Sequence, residues 1–265
     1  MISGVAEDAV AGDDARAWDE RLGWAFGLVA DDPAERAGAL ARLVKARQEV
    51  HGAFDRYNAV WRLTLPLGTD ERYRHPEVLR AYQLIREARR HSLPDGLWSR
   101  FEVGDLGAWP GLPYALLFLE WEARFPEEWT RHAKAWGTKE VLLRDLSRAR
   151  LDGPSRAKLT DLVEIVVNRP YRCKDREYVR IARAVDSADL RARLDRAAAS
   201  DDPWACRHAG YVRMLLDRPE LPNSRRVWQS WVDADPFPAQ TRTRFMESSW
   251  TRTSTVFSPR AIMSK

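Results

Sequence analysis

Cysteine is almost missing from this chain: Cys173 and Cys206 are the only two among its 265 residues. A lone pair in a chain of this length does not build a disulfide framework, so both read as reduced, partly buried thiols. Long hydrophobic runs are missing too. The longest, Ala115–Leu119, stops at Glu120, far short of the roughly 18 consecutive apolar residues that a membrane span requires. Residues 1–12 carry Glu7 and Asp8 and show neither the basic start nor the apolar core of a secretory signal. These absences predict a cytoplasmic protein without a membrane partner. Lysine is scarce as well, six of 43 basic residues, and alanine and aspartate are abundant. That bias points to a GC-rich genome such as an actinobacterium's, and it takes arginine content by itself out of the functional argument.

Catalytic and metal signatures are equally thin. The histidines, at 51, 75, 91, 132 and 208, include no pair at the close helical spacing of zinc ligands and no metalloprotease pattern. Cys206 and His208 are two residues apart, which on a helix directs them roughly 200° from each other. No Gly-x-Ser-x-Gly, phosphate loop or Gly-x-Gly-x-x-Gly occurs, leaving nucleophilic and nucleotide chemistry without a motif. Asp31-Asp32-Pro33-Ala34-Glu35 matches the loose acidic pattern with which terpene synthases hold magnesium. It reads more simply as a helix start, with Asp32 capping, Pro33 first in the helix and Glu35 completing a capping box. No metal and no cofactor is expected.

What the chain does have is helical periodicity. Hydrophobic residues make up 45% and charged residues 31%, ordinary values for a globular chain, and apolar positions recur at helical rather than strand spacing. Trp18, Leu22, Ala25, Phe26 and Val29 share one face over 14–29. A long helix is predicted from Pro33 to about Leu65, with a break at Gly52, and another over 76–91. After a segment rich in glycine, proline and aromatics, shorter helices follow at about 112–124, 126–136, 138–151, 155–168, 175–185, 187–199, 203–217 and 223–233. The expected fold class is all-α. Its expected architecture is either a helical array of antiparallel helix pairs or an irregular helical bundle. The expected organisation is an N-terminal helical part over 1–92, a connecting loop over 93–113, a C-terminal helical array over 114–235 and a basic Ser/Thr/Arg tail over 236–265.

Asp31 to Leu43 and Asp201 to Leu215 echo each other as aspartate-capped, proline-started helices with small residues near the middle. The second of these, following another short helix, resembles the second helix of a HEAT-type repeat. The likeness spans Ser187–Arg218, about one repeat, and no fixed period runs through the chain. The resemblance implies stacked helix pairs with an extended concave binding surface.

Charge is unevenly placed. Residues 1–35 hold nine acids against two bases, and residues 241–265 hold five bases against one acid. The densest basic stretch with aromatics is 169–183. Arg172, Lys174, Arg176, Arg180 and Arg183 stand there with Tyr171 and Tyr178, and Arg176, Arg180 and Arg183 share a helix face. Arg225 and Arg226 precede Trp228. Arg172, Lys174, Arg176, Arg180, Arg183, Arg225, Arg226 and Trp228 form the candidate basic and aromatic binding surface. Twelve tryptophans are an unusually large number, and most should fill gaps between helices. Trp121, Trp129 and Trp136, eight and seven residues apart, fit a buried seam across two helices. The leading functional expectation is a non-enzymatic module that binds another protein. A nucleic-acid-binding protein is the alternative. A third reading is a DNA-acting enzyme similar to the alkylated-base glycosylases built of HEAT-like repeats. It rests on shared architecture and residue types, with no site residue carried over.

Overall fold

Helices in this protein begin where the sequence supplies a capping oxygen. Asp32 accepts a hydrogen bond from the Ala34 N–H at 3.0 Å, Asp152 from Ser155 at 2.9 Å, Ser187 from Leu190 at 3.2 Å and Asp202 from Trp204 at 2.8 Å. Each satisfies one N–H that the first helical turn leaves without an intrahelical partner. Pro33, Pro154 and Pro203 occupy the first turns behind three of these caps, where a missing N–H costs nothing. The computed structural model describes residues 15–102 and 106–234. The first fourteen residues of the acidic head and the basic tail from Pro236 lie outside the described residues.

Twelve α-helices are described: α1 Ala15–Leu22, α2 Pro33–Leu63, α3 Thr69–Arg74, α4 Pro76–Arg90, α5 Leu112–Arg124, α6 Pro126–His132, α7 Trp136–Leu146, α8 Gly153–Val167, α9 Tyr178–Ala184, α10 Ala188–Ala198, α11 Pro203–Asp217 and α12 Arg225–Ala234. Short 3-10 helices occupy Gly23–Val29, Asp95–Glu102, Leu106–Ala108 and Asp175–Glu177. No strand occurs among the described residues. The protein is all-α. None of the described helices is long and apolar enough to cross a membrane.

α5 is the centre of the core. Ten of its thirteen residues are buried, so it is apolar nearly all round, as a helix covered on several sides must be. It packs against α8, the Gly23–Val29 turn and α6. One apolar cluster runs from Trp18 and Leu22 through α5, α7, α8 and α9 to Leu215 and Leu216 of α11. The tryptophans expected to form a seam across two helices sit on three, α5, α6 and α7, with Trp136 partly buried. Trp121 and Trp129 are fully buried, and the Trp129 and Trp136 rings lie 4.6 Å apart. α10 and α11, joined by four residues, pack on each other as a hairpin. This is the stretch whose sequence resembles a HEAT-type pair.

At the other end of the chain, α2 and α4 form a long arm. At about 1.5 Å per residue, the 31 residues of α2 extend roughly 46 Å. Its buried residues are Ala39, Leu43, Val50 and Ala53, all in the proximal two thirds. Beyond Ala53 its ring contacts are with Arg89 of α4, over Phe54, and with Arg72 and Tyr73 of α3, against Trp61.

Several boundaries differ from the sequence expectation. Gly52 does not interrupt α2, because a single glycine costs only about 1 kcal/mol in a helix. The helix expected over 14–29 stops at Leu22, and Gly23–Val29 continues as a 3-10 helix. There Gly27 lies so close to Ala39 that a Cβ at position 27 would sit 3.0 Å from the Ala39 Cβ. The helix expected over 126–136 ends at His132, and Trp136 opens α7, since Lys134 takes a left-handed φ of 46° between them. α3 was not expected. The 93–113 segment contains two of the 3-10 helices and packs down through Leu93, Leu97 and Trp109.

Candidate functional site

The segment 169–183 leaves α8, turns sharply and enters α9. Lys174 makes the turn with a left-handed backbone, φ 68° and ψ 5°, a conformation uncommon outside glycine. The turn carries Asp175 into the interior, where it meets two side chains from distant helices. Lys139 of α7 and Glu122 of α5 are both fully buried. The Lys139 Nζ lies 2.8 Å from Glu122 Oε2 and 2.5 Å from Asp175 Oδ1. The Arg169 guanidinium bridges the same two carboxylates at 3.0 Å each. Arg172 Nε donates to Glu122 Oε1 at 3.1 Å, and the far end of the same guanidinium donates to the Pro126 carbonyl at 2.8 Å and to Thr130 Oγ1.

The acceptor side of this network is filled. Asp175 Oδ1 accepts from Lys139 and Arg169, and Oδ2 accepts from Arg169 and from the Arg172 N–H at 2.7 Å. Four donors fill the roughly four lone-pair positions that a carboxylate offers. Burial pushes the Asp175 carboxyl up, but Lys139 and Arg169 outweigh it and hold it below the usual carboxylate range. Such a group ties α5, α7 and α9 together and has no acceptor position left for general-base work.

The predicted basic surface is largely absorbed by neighbouring acids. Glu177, nearly buried, takes Arg144 at 3.0 Å, Arg180 at 2.9 Å and Arg176 at 3.3 Å. Burial raises its carboxyl, while the Arg144 hydrogen bond and the Arg144 and Arg180 charges bring it below its ordinary value. Lys174 Nζ lies 2.6 Å from Glu140. Arg183 turns inward and donates to the carbonyls of Leu215 at 3.1 Å and Leu221 at 2.7 Å, fastening the end of α11. Arg225 and Arg226 are exposed at the start of α12, and Trp228, one turn on, packs against Tyr211 with ring centroids 4.8 Å apart.

Asp175 also lines a cavity of about 60 Å³ between α8, α9, α11 and α12. Tyr171, His208, Tyr211 and Trp228 present rings to it, and Val166, Val179 and Val212 form its apolar wall. Asn223 closes one edge: its Nδ2 donates to the Arg176 carbonyl at 2.6 Å, and its Oδ1 accepts the Tyr211 hydroxyl at 3.1 Å. The Arg176 N–H donates to Tyr171 Oη at 3.1 Å. His208 is 7% exposed. Burial drives its imidazole pKa down to about 4, so the ring is neutral at physiological pH.

Sequence reasoning missed Glu122 and Lys139, and it weighed His208 only as a metal ligand. A signal for Lys139 was present. It shares a helical face with Leu142, Leu143 and Leu146, and a lysine on an apolar stripe requires a buried counter-charge. Among the described residues, no group of three His, Cys, Asp or Glu side chains is placed to hold a metal ion. Cys173 and Cys206 are both free thiols, and burial raises the pKa of Cys173. Compared with known proteins, the chain matches no family model, no curated protein and no solved structure.

Proposed function

We propose that this protein is a non-enzymatic interaction module of the cytoplasm whose arm, α2 with α3 and α4, receives an acidic amphipathic helix of a partner protein. One observation carries the reading: large apolar side chains gather at the distal end of the arm. Leu63 is 81% and Leu65 59% exposed at and just beyond the end of α2, and Leu79 and Tyr82, in the first two turns of α4 after the short α3, are also exposed. In the same part of the chain Tyr57 stacks on Trp61 with ring centroids 5.8 Å apart, and Tyr73 of α3 meets Trp61 at a tilt, 5.2 Å away. Single exposed apolar residues are ordinary, but grouped ones mark contact surfaces. The charge of the arm sets the partner's sign. Residues 54–90 hold eight arginines against five acids, and Arg56, Arg62, Arg74 and Arg86 are exposed there. An apolar strip with arginines around it favours a helix with an apolar face and acidic flanks.

The nucleic-acid alternative loses support from the pairing of Arg172, Lys174, Arg176 and Arg180 with acids, because phosphate binding needs cations that face solvent. The enzyme alternative has Trp228, Asp175 and Arg176 around one cavity, but an aspartate already accepting four hydrogen bonds. The test is a pull-down of the tagged full chain from its own host's lysate, with and without nuclease, beside a Leu63→Glu, Leu79→Glu variant. A stoichiometric protein that survives nuclease and falls at least tenfold with the variant, whose far-ultraviolet circular dichroism is unchanged, supports the reading. A partner retained by the variant, or lost with nuclease, refutes it.

A further inference from the structure

The cavity beside His208 has no part in the arm, and its chemistry defines a ligand of its own. We propose that it is a binding site for a small, uncharged molecule with a single aromatic ring. The argument begins from the wall. Three valines and four rings face the space, and the rings are tilted against one another rather than stacked. Tyr171 meets His208 at 69° with centroids 5.8 Å apart, His208 meets Trp228 at 58° and 6.1 Å, and Trp228 meets Tyr211 at 86° and 4.8 Å. Tilted rings offer both faces and edges, the two elements an inserted aromatic ring uses in offset-stacked and edge-to-face contacts.

The polar groups decide the ligand's charge. A box of aromatic rings commonly selects a cation, and a cation here would look to Asp175. That carboxylate already accepts from Lys139, Arg169 and the Arg172 N–H, and the Arg176 side chain stands on the same wall. An anion fares no better. Arg176 is directed at Glu177 and Glu140, 3.3 and 3.9 Å away, and His208 is held neutral by burial. An anion would therefore leave water for a valine and aromatic lining, a transfer that costs a great deal without a paired charge. Asn223 has its amide engaged at both ends within the protein. Apolar and π contacts remain as the source of affinity.

Size sets the rest. A volume of about 60 Å³ exceeds the roughly 10–15 Å³ that one water needs and falls below the roughly 150 Å³ of a closed cavity that takes benzene. A single ring therefore enters by one edge and keeps its other edge in solvent, and a fused ring system would leave most of its surface outside.

The experiment uses the full chain and phenol as probe. Phenol is titrated into 15N-labelled protein, with benzylammonium and benzoate as charged comparators. The Trp228 indole resonance is assigned through Trp228→Phe. Phenol is expected to shift that resonance saturably while the Trp18 and Trp129 resonances stay in place, and to bind at least tenfold more tightly than either comparator. Val212→Phe, which fills the cavity, is expected to weaken phenol at least tenfold; Val179→Leu serves as a milder filling variant should Val212→Phe fold poorly. Unchanged phenol binding in both variants, no saturable shift at Trp228, or tighter binding of a charged comparator would overturn the proposal.

Discussion

Acidification should destabilise this protein through one side chain. His208 lies within α11, packed by Tyr171, Trp204 and Trp228, with Asp175, Asp202, Arg169 and Arg207 as the charges that act on it. Its pKa falls from 6.5 to about 4 on folding. A depressed histidine pKa means that the unfolded chain binds the proton more readily. Above pH 6.5 neither state is protonated there and the group is silent. Below that value the unfolded state gains a proton that the folded state refuses, and stability falls with pH until the folded value near 4 is reached. At pH 5 the difference is about 2 kcal/mol, from about 1.4 kcal/mol per unit of pKa difference over the interval crossed. Urea titrations followed by circular dichroism at pH 7 and pH 5, on the natural protein and on His208→Gln, measure it. The natural protein should lose about 2 kcal/mol more than the variant over this interval. Equal losses in the two proteins would show that His208 is not the group responsible. Asp175 and Glu177, whose carboxyls are lowered on folding, contribute stability that is present above the ordinary carboxylate range and lost only below it, so their effect falls at lower pH.

Two further outcomes follow from packing and charge. Lys139→Met leaves Glu122 and Asp175 buried with one fewer cation between them and should cost about 3–5 kcal/mol in urea-unfolding free energy; a loss below about 1 kcal/mol would mean that Arg169 and Arg172 suffice to hold both carboxylates. At Gly111 an added Cβ would lie 2.4 Å from the Trp109 ring and 2.6 Å from Trp18, so Gly111→Ala should destabilise by about 1–3 kcal/mol. Gly137→Ala, in the first turn of α7 with nothing within 4 Å of the added atom, should be neutral or stabilise by up to about 1 kcal/mol in a thermal melt.

The parts of this fold that can be read from the sequence are those governed by neighbouring residues. The starts of α2, α8, α10 and α11 follow from Asp32, Asp152, Ser187 and Asp202, because a cap and its N–H lie two or three positions apart. The helix over 112–124 was legible in full, bounded by Pro113 near its start and Pro126 just beyond its end. The split at Gly23 was not, since its cause is the approach of Gly27 to Ala39 from another helix. The same division holds at the candidate site. The basic residues of 169–183 could be counted, and the nearby acid Glu177 could be seen. Their decisive partners could not. Glu122 is 47 residues from Arg169, and Lys139 is 36 from Asp175, separations at which local spacing carries no information about contact. The array or bundle expected for the all-α class differs only in how the helices are stacked, and no local pattern encodes that.

The burial of α5 has a consequence for how this sequence can change over time. Ala115, Leu117, Phe118, Leu119 and Trp121 touch neighbours on opposite sides of one helix, with almost no surface left over. A larger side chain there has nowhere to go unless α8, α6 or the Gly23–Val29 turn gives up the same volume. Drift at α5 is therefore coupled across the molecule, position against position, whereas exposed residues away from the apolar, arginine-lined end of the arm are at liberty to diverge one at a time. Two descendants of this chain would be recognised by matched volumes around α5 sooner than by any residue shared at those exposed positions.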